Sequence, residues 1–307
     1  MTDLVRGKIV FITGPARGIG AEAARQLAAR GAQLALVGLE PDRLAALAAE
    51  LGRGHAWFEC DVTDQAAVER AVDATRRQFG GIDVVVANAG IASVGTVACT
   101  PIAALTRVID VNLSGVVRTV HATLPDVTAR RGYILIVSSA AAFAAMPGLA
   151  VYAATKSAVE QFANAVRYEI AHKGAAIGTV HPSWIDTDLV RDARADLSTF
   201  NALLRKLPGP FGAVTSTPEC AAAIVVAVEH RRRRVYVPRS LAPFAALRHV
   251  IARPPFDAVI RRVAGSAVPD LEREASTLGR SFGAHSVEST RAPHTPGAES
   301  EKVKVDR

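Results

Sequence analysis

Cysteine is scarce in this sequence, and the few cysteines present argue against two kinds of protein. Cys60, Cys99 and Cys220 are an odd number and widely spaced, and no Cys-x-x-Cys pair occurs. Such a set favours neither a disulfide framework nor a zinc cluster, and the scattered histidines show no ligand spacing. We therefore expect reduced thiols that behave as small apolar side chains in a cytoplasmic protein, and no metal site.

Long hydrophobic runs are also missing. No stretch approaches the ~18 uninterrupted apolar residues that a membrane-spanning helix needs, and no basic start followed by an apolar run indicates a secretory signal. Hydrophobic residues nevertheless make up 50% of the sequence and charged residues 21%, which is typical of a globular protein with a large core.

Acidic residues are nearly absent from one segment, which accounts for the basic balance of the chain. The formal net charge is +7, and residues 231–263 contain nine arginines and a single acid, Asp257. A local excess does not indicate nucleic-acid binding by the whole protein. Residues 239–264 could lie on an anionic membrane surface, but Pro243 and the Pro254-Pro255 pair interrupt a continuous helix. We favour an extension that packs over a substrate pocket or a neighbouring subunit.

The first 240 residues alternate between short apolar runs and longer segments of helical period. Seven such runs, from GKIVFIT (7–13) to RVYVP (234–238), predict an α/β protein with a doubly wound Rossmann-type fold, a seven-stranded parallel sheet and helices on both faces. We expect residues 1–240 to form this catalytic domain.

Two regions depart from the alternation. Residues 183–217 are loop-like with two short helical patches, which is typical of an element that covers a ligand. Residues 241–268 form the basic apolar extension, and the Ser-, Glu-, Pro- and Gly-rich residues 269–307 are predicted to be disordered.

Three glycines follow the first strand at positions 14, 18 and 20, in the stretch TGPARGIG. Glycines allow a tight turn and a close approach of a pyrophosphate to the N-terminus of the next helix. A tight turn without a ligand is the alternative, but the position between a buried strand and an Ala-rich helix favours dinucleotide binding.

The second strand ends at Leu39-Glu40, where the choice between NAD and NADP is usually made. Glu40 would repel a 2′-phosphate, whereas Arg17 could attract one, and no arginine follows the strand at the usual point. We favour NAD and keep NADP as the alternative. Asp61 and Val62 close the third strand, where the carboxylate could meet the adenine or simply stabilise a helix N-terminus.

Tyr152 and Lys156 are one helical turn apart, in VYAATKSAV, and Ser139 ends the fifth strand. A free phenol has a pKa near ~10, and a neighbouring ammonium favours the phenolate. Taken alone, the pair would indicate a core tyrosine with a lysine beside it. With the glycine loop, the Asn88-Ala89-Gly90 sequence after strand four and Ser139 at the sheet edge, it indicates a proton-transfer site.

Together these motifs resemble the short-chain dehydrogenase/reductase family over residues 5–240. The resemblance implies that Tyr152 is the general acid/base, that Lys156 binds the nicotinamide ribose and lowers the tyrosine pKa, and that Ser139 orients the substrate oxygen. It implies that Asn112 holds a water in a proton relay. The residues expected to contact the cofactor are Gly14, Arg17, Gly18, Ile19, Gly20, Leu39, Asp61, Val62, Asn88, Ala89, Gly90, Tyr152, Lys156, Pro182, Ile185 and Thr187.

Two positions differ from the family's pattern. Ala87 stands where an asparagine often precedes Asn88-Ala89-Gly90, and Ser183-Trp184 follows Pro182 where a glycine is usual. The bulkier turn is expected to reshape the substrate entrance. The residues expected to line an apolar substrate pocket, next to Ser139, are Phe143, Met146, Trp184, Leu189, Phe200, Leu203 and Leu204.

The sequence therefore predicts an NAD(P)-dependent oxidoreductase that interconverts a secondary alcohol and a ketone or aldehyde, with a lipophilic substrate. A β-ketoacyl thioester reductase is one alternative, because Arg191, Arg194, Arg205 and Lys206 could meet a phosphorylated carrier. A nucleotide-sensing scaffold without turnover is the other. The resemblance also implies a homodimer or homotetramer formed through helices 102–130 and 150–173, and no nucleic-acid partner is expected.

Overall fold

The computed structural model describes residues 4–144, 146–207, 209–248 and 254–286. A seven-stranded parallel sheet with the order β3-β2-β1-β4-β5-β6-β9 lies at its centre. The strands are β1 (Ile9–Thr13), β2 (Gln33–Gly38), β3 (His55–Glu59), β4 (Val84–Ala87), β5 (Tyr133–Val137), β6 (Ala176–Pro182) and β9 (Arg234–Val237), with a separate short pair β7 (Trp184–Ile185) and β8 (Val214–Thr215). The predicted fold class is confirmed.

The helices connect the strands and cover both faces of the sheet. They are α1 (Gly18–Ala29), α2 (Pro41–Leu51), α3 (Gln65–Phe79), α4 (Ile102–Ile109), α5 (Gly115–Ala129), α6 (Ala150–Ala171), α7 (Asp188–Asp196), α8 (Ser198–Lys206), α9 (Thr217–Glu229), α10 (Ala242–Ala246) and α11 (Pro254–Thr277). No helix within the described ranges is long and apolar enough to cross a membrane.

Alternate residues of the strands divide the core into two layers. In β1, Val10 and Ile12 join the layer under α1 and α9, whereas Phe11 joins the layer under α3, α5 and α6. All five β1 residues are buried, because a parallel sheet is covered on both faces. The central strands are therefore held rigidly, and their carboxyl ends present a fixed edge to the cleft.

Residues 102–130, predicted as one helix, are two helices joined by a π-helical turn. The turn is Asp110–Ser114 and carries Asn112. A π-turn inserts one extra residue into the helical repeat, and such turns are frequent at functional sites. No periodicity of the sequence marks this insertion.

The predicted disorder from residue 269 is wrong for residues 269–286. Helix α11 continues through Pro269 to Thr277, and Leu271 on it is buried. Tertiary contacts of its apolar face stabilise this helix, which its polar, Pro-containing composition does not indicate. We call residues 278–286 the C-terminal strap. The remainder of the predicted disordered tail, residues 287–307, lies outside the described residues.

Candidate active site

A cleft of about 250 Å³ lies over the carboxyl ends of β1 and β4, where the strand order reverses. In open α/β sheets this reversal is where ligands bind. Every residue that the sequence assigned to the cofactor lines the cleft, as does Ser139. Asn112 does not line it.

The glycine loop is shaped by close contacts that leave no room for side chains. Gly14 has φ +65°, and a Cβ there would lie 2.9 Å from Ala89 Cα. A Cβ on Gly20 would lie 2.5 Å from Asn88 Nδ2, which itself donates to the carbonyls of Thr13 and Gly14 at 3.0 and 2.9 Å. Asn88 therefore fixes the loop to the carboxyl end of β4.

The N-terminus of α1 faces the cleft with its amide groups available to an anion. Arg17 precedes the helix in extended backbone, no described side chain caps the terminus, and the first turn has no acidic residue. The unpaired amides and the helix dipole together favour a phosphate at this position. The loop therefore fits the pyrophosphate of a dinucleotide.

Beside the glycine loop, the cleft contains a carboxylate. Glu40 Oε2 accepts hydrogen bonds from Arg17 Nη2 at 2.6 Å and Nε at 3.2 Å, and it lies 3.3 Å from Arg43 Nε. The guanidinium of Arg17 is thus oriented by Glu40. A carboxylate in this place accepts from ribose hydroxyls and repels a 2′-phosphate.

Asp61 lines the cleft but is strongly engaged by its neighbours. Its Oδ1 accepts from Thr63 N and Oγ1 at 2.9 and 2.8 Å, and its Oδ2 accepts from Arg107 Nη2 at 3.0 Å. Burial opposes ionisation, but these hydrogen bonds outweigh it and hold the pKa of Asp61 below its ordinary value. The carboxylate is therefore ionised and immobile beside the third strand.

Ser139, Tyr152 and Lys156 meet at the inner end of the cleft. Lys156 Nζ is buried, donates to the Val137 carbonyl at 2.9 Å and lies 5.5 Å from the centre of the Tyr152 ring. Burial lowers the pKa of Lys156 to about 8. Burial raises the pKa of Tyr152, and its hydrogen bond with Ser139 opposes that shift only in part.

The Tyr152 pKa therefore differs from the expectation that the ammonium would lower it. In this structure desolvation of the phenol is the larger effect, and Lys156 Nζ is directed at a backbone carbonyl of β5. Burial lowers the pKa of Lys156 and raises the pKa of Tyr152, because it disfavours the charged form of each side chain.

Asn112 lies behind the cleft and is fully buried. Its Oδ1 accepts from Ile91 N, and its Nδ2 donates to Ile91 O, both at 2.8 Å. The same Nδ2 lies 3.3 Å from Thr155 Oγ1 on α6. Asn112 therefore joins the loop after β4 to the helix that carries Tyr152, and its role in a water relay stays a prediction.

His181, which the sequence did not single out, is hydrogen-bonded to the backbone of Ser139. Its Nδ1 donates to the Ser139 carbonyl at 3.2 Å, and its Nε2 accepts from Thr179 Oγ1 at 2.9 Å. Acceptance at Nε2 requires the neutral ring, and burial lowers the pKa of His181 to about 4. A lone histidine inside a strand gives no signal of this contact.

A second, apolar cavity of about 70 Å³ adjoins the cleft, and Leu189 and Val190 line both. Met146, Trp184 and Leu189 line it as predicted, together with Phe200 and Leu203. Leu204 packs in the surrounding cluster with Leu197 and Phe200.

Phe143 does not line this cavity, so its assignment to the substrate pocket is wrong. Its ring packs with those of His181 and Tyr236 at centroid distances of 6.0 and 5.9 Å. The backbone after Ser139 forms a short turn of 3₁₀ helix, Ala140–Ala142, which ends at Phe143, and Phe143 lines a different pocket with Ala142 and Ser157.

Two residues that the sequence did not assign complete the site. Leu271 of α11 lines the apolar cavity, and His285 of the strap lines the cleft. Both lie in the region whose composition predicted disorder, which explains why they were missed.

The strand order, the glycine loop and the pairing of the partly buried Tyr152 with the buried Lys156 define a dinucleotide-binding oxidoreductase. A family model described as short chain dehydrogenase matches residues 8–198. The chain belongs to the short-chain dehydrogenase family, and its described residues form an oxidoreductase domain that acts on CH–OH groups with a nicotinamide cofactor.

Known proteins similar to the chain include two curated relatives. A glycine betaine reductase of Emericella nidulans is 35% identical over 224 residues, which are 72% of this chain and 17% of that protein. A 3-alpha-(or 20-beta)-hydroxysteroid dehydrogenase of Mycobacterium bovis is 33% identical over 190 residues, which are 62% of this chain and 73% of that protein. The chain thus spans a small part of the first relative.

Among solved structures, the 3-ketoacyl-(acyl-carrier-protein) reductase of Brucella melitensis complexed with NADH is similar to the chain. The TM-score is 0.69 and the identity 25%, and the match covers 77% of this chain and 99% of that one. About a quarter of the chain is outside the match.

Proposed function

We propose that the protein interconverts a lipophilic secondary alcohol and the corresponding ketone, with Tyr152 as general acid/base. The observation that carries this proposal is the convergence of Ser139, Tyr152 and Lys156 at one end of a cleft whose other end is a phosphate-binding glycine loop. An apolar cavity opens beside them, which gives room for an apolar substrate.

The proposed chemistry follows from the positions of these side chains. When bound, the nicotinamide accepts hydride from the alcohol or supplies it to the carbonyl. The phenol oxygen of Tyr152 takes the alcohol proton during oxidation and returns one to the alkoxide during reduction. The hydroxyl of Ser139, hydrogen-bonded with Tyr152, stabilises the charge that develops on the substrate oxygen.

Lys156 is proposed to bind the nicotinamide ribose. A pKa of about 8 allows its charge to be present at neutral pH in spite of its burial. Its ammonium keeps two donors besides the one given to Val137 O, which suits contact with ribose hydroxyls.

The experiment that tests this function is substitution of Tyr152 by phenylalanine. With an apolar secondary alcohol as substrate, Tyr152→Phe should lower kcat by about 10²–10⁴-fold, because the general acid/base is lost. Binding of NADH, followed by nicotinamide fluorescence, should persist. Tyr168→Phe is the matched control, since Tyr168 is on the same helix and 74% exposed. Unchanged turnover by Tyr152→Phe would contradict the role of Tyr152, whereas NADH binding without turnover in the unmodified protein would favour a nucleotide-sensing scaffold.

NAD is the proposed cofactor because Glu40 holds Arg17 and presents a carboxylate where a 2′-phosphate would lie. Parallel titrations should give a lower Kd for NADH than for NADPH by about tenfold or more, a difference of about 1.4 kcal/mol. Glu40→Gln should narrow that ratio, because repulsion of the phosphate is removed. Glu50→Gln, at an exposed glutamate in α2, should leave the ratio unchanged.

A β-ketoacyl thioester reductase is the second candidate, supported by the similarity to the Brucella melitensis reductase. Two of the residues in segment 183–217 that were considered for a phosphorylated carrier already have partners. Arg191 is paired with Asp186 and Arg194 with Asn201. Those pairings weaken this candidate. A higher kcat/KM for acetoacetyl-CoA than for apolar ketones without a carrier would favour it.

We also propose a homodimer or homotetramer. Ile102, Ile109 and Val117 on α4 and α5 are 73%, 41% and 37% exposed, and Tyr168 is on α6. Exposed apolar side chains on adjoining helices support an interface between copies of the chain.

A further inference from the structure

The C-terminal strap crosses the front of the active site and is joined to the loop after β4. Val94 N donates to the Ser281 carbonyl at 2.8 Å, and Ser93 forms an antiparallel bridge with Phe282. The Phe282 side chain packs against the apolar cluster that Tyr152 also contacts. The strap therefore lies next to the catalytic residues.

The strap is also fixed to helix α7. Arg280 Nη2 donates to Asp196 Oδ1 at 2.5 Å, and Asp192 accepts from the backbone N of His285 at 2.9 Å. Gly283 passes so close to α7 that a Cβ would lie 2.5 Å from Asp192 Oδ2. This approach leaves no space for any side chain at residue 283.

The far end of the strap reaches the phosphate-binding loop. Arg17 Nη1 donates to the His285 carbonyl at 2.8 Å, and Asp188 Oδ2 lies 3.9 Å from the same nitrogen. Thr187 also approaches, because its Cγ2 would lie 3.3 Å from a Cβ on Gly18. His285 thus joins the ring of residues around the N-terminus of α1.

The imidazole of His285 is oriented by a buried carboxylate. Its Nδ1 lies 2.6 Å from Asp192 Oδ1, and the Asp192 side chain is 7% exposed. The carboxylate accepts the proton of Nδ1 and fixes the direction of the ring, so the protonated imidazole presents its Nε2–H to an anion. Within the described residues Nε2 has no hydrogen-bond partner, and the residue lines the cleft.

We propose that the C-terminal strap closes over the bound dinucleotide and that His285 is a cofactor-binding residue, whose imidazole faces the pyrophosphate, with Asp192 as its positioning residue. The proposal rests on the proposed function, since it requires that a dinucleotide occupies the cleft. Arg17 is oriented towards Glu40, in the part of the cleft that is proposed for the ribose. His285 is therefore the side chain of the strap that is placed to meet phosphate oxygens.

The test is the affinity and dissociation rate of NADH, measured by nicotinamide fluorescence and stopped-flow displacement. His285→Ala, Asp192→Asn and Gly283→Ala remove the imidazole, its orienting carboxylate and the close approach of the strap, respectively. Each should raise the dissociation rate constant and the Kd about tenfold, the effect of one lost hydrogen bond to a charged group. The His285→Ala/Asp192→Asn double variant should be no weaker than His285→Ala, because Asp192 acts through His285.

Two variants on α11 serve as matched controls. Gly265→Ala places a Cβ where nothing lies within 4 Å, and Asp270→Asn removes an exposed carboxylate paired only with Arg273 among the described residues. Both should bind NADH as the unmodified protein does.

The remaining outcomes each decide the matter. Unchanged dissociation rates in all three strap variants, with NADH bound normally, would overturn the strap's role and leave the proposed function intact. Tighter binding in those variants would show that the strap obstructs the cleft, which also overturns the proposal. Failure of every protein, the unmodified one included, to bind NADH or NADPH would overturn the proposed function and this inference with it. An additive loss in the double variant would remove Asp192 from the positioning role.

Discussion

Burial of the Lys156 ammonium, in the position proposed for its function, lowers the free energy of unfolding. Its pKa is about 8 in the folded protein against an ordinary value of 10.5, so the unfolded chain binds the proton more tightly. Stability therefore rises with pH between about 8 and 10.5, and the desolvation cost is fully present below pH 8.

Substitution of Lys156 by methionine should separate these effects. Lys156→Met should raise the free energy of unfolding at pH 7 by up to about 3 kcal/mol, since a pKa unit corresponds to about 1.4 kcal/mol, while turnover is lost. The gain should disappear near pH 10.5, as denaturant unfolding at several pH values would measure. A variant less stable than the unmodified protein at pH 7 would contradict the desolvation argument.

His181 makes a second prediction of pH dependence. Its folded pKa is about 4 and its ordinary value 6.5, so the unfolded chain binds the extra proton across that interval. Stability should fall as the pH is lowered from 6.5 to 4, by up to about 3 kcal/mol from this group. His181→Gln should flatten the acid limb of a plot of Tm against pH, whereas His172→Gln, at an exposed position, should not. Equal acid limbs in both variants would refute the assignment.

At the level of elements, α11 forms one wall of the apolar cavity through Leu271, which is 4% exposed. Leu271→Ala should enlarge the cavity and raise kcat/KM for bulky secondary alcohols relative to small ones. It should also destabilise the protein by about 2–5 kcal/mol, as large-to-small core substitutions do. Comparison of alcohols of increasing bulk measures the first effect.

Leu247→Ala is the control for this prediction, because Leu247, at the C-terminal end of α10, is 53% exposed. It should change neither selectivity nor stability by much. Equal selectivity profiles for Leu271→Ala and Leu247→Ala would show that α11 does not limit the substrate.

The sequence predicts the elements of the sheet well because their patterns are local. The apolar runs gave the seven strands and their parallel order, and the glycine spacing and Tyr152-x-x-x-Lys156 located the cleft. The extension was predicted less well: its polar, Pro-containing composition gives no sign that Leu271 is buried against Trp184 and Phe200. Tertiary packing decides such elements, and one sequence does not reveal it.

The same limit applies to side chains that act through distant partners. Phe143 was assigned to the substrate pocket from its hydrophobicity and nearness to Ser139 in the chain, but it packs with His181 and Tyr236. The contact between Arg17 and His285 joins residues 268 positions apart. A contact between residues so far apart in the sequence can be identified only when the fold is known.

For the whole molecule, the exposed apolar side chains on α4 and α5 predict association. Light scattering after gel filtration should give a mass that is a multiple of the chain mass. Ile109→Lys combined with Val117→Asp should shift that mass towards the monomer, because charges would be buried without partners at the interface. Leu4→Lys, at a residue that precedes β1 and is 51% exposed, is the control. A monomeric mass for the unmodified protein would refute the proposed oligomer.

The hydrogen bond between Arg17 and the His285 carbonyl also has a consequence for how the protein matures on the ribosome. The glycine loop emerges early in translation, and its strap partner emerges only after nearly the entire described sequence has been made. A nascent chain can thus assemble its sheet and expose the open cleft well before residue 285 leaves the exit tunnel. The strap therefore joins the site only after the sheet has been made, and a chain halted before residue 285 would carry Tyr152 without the strap.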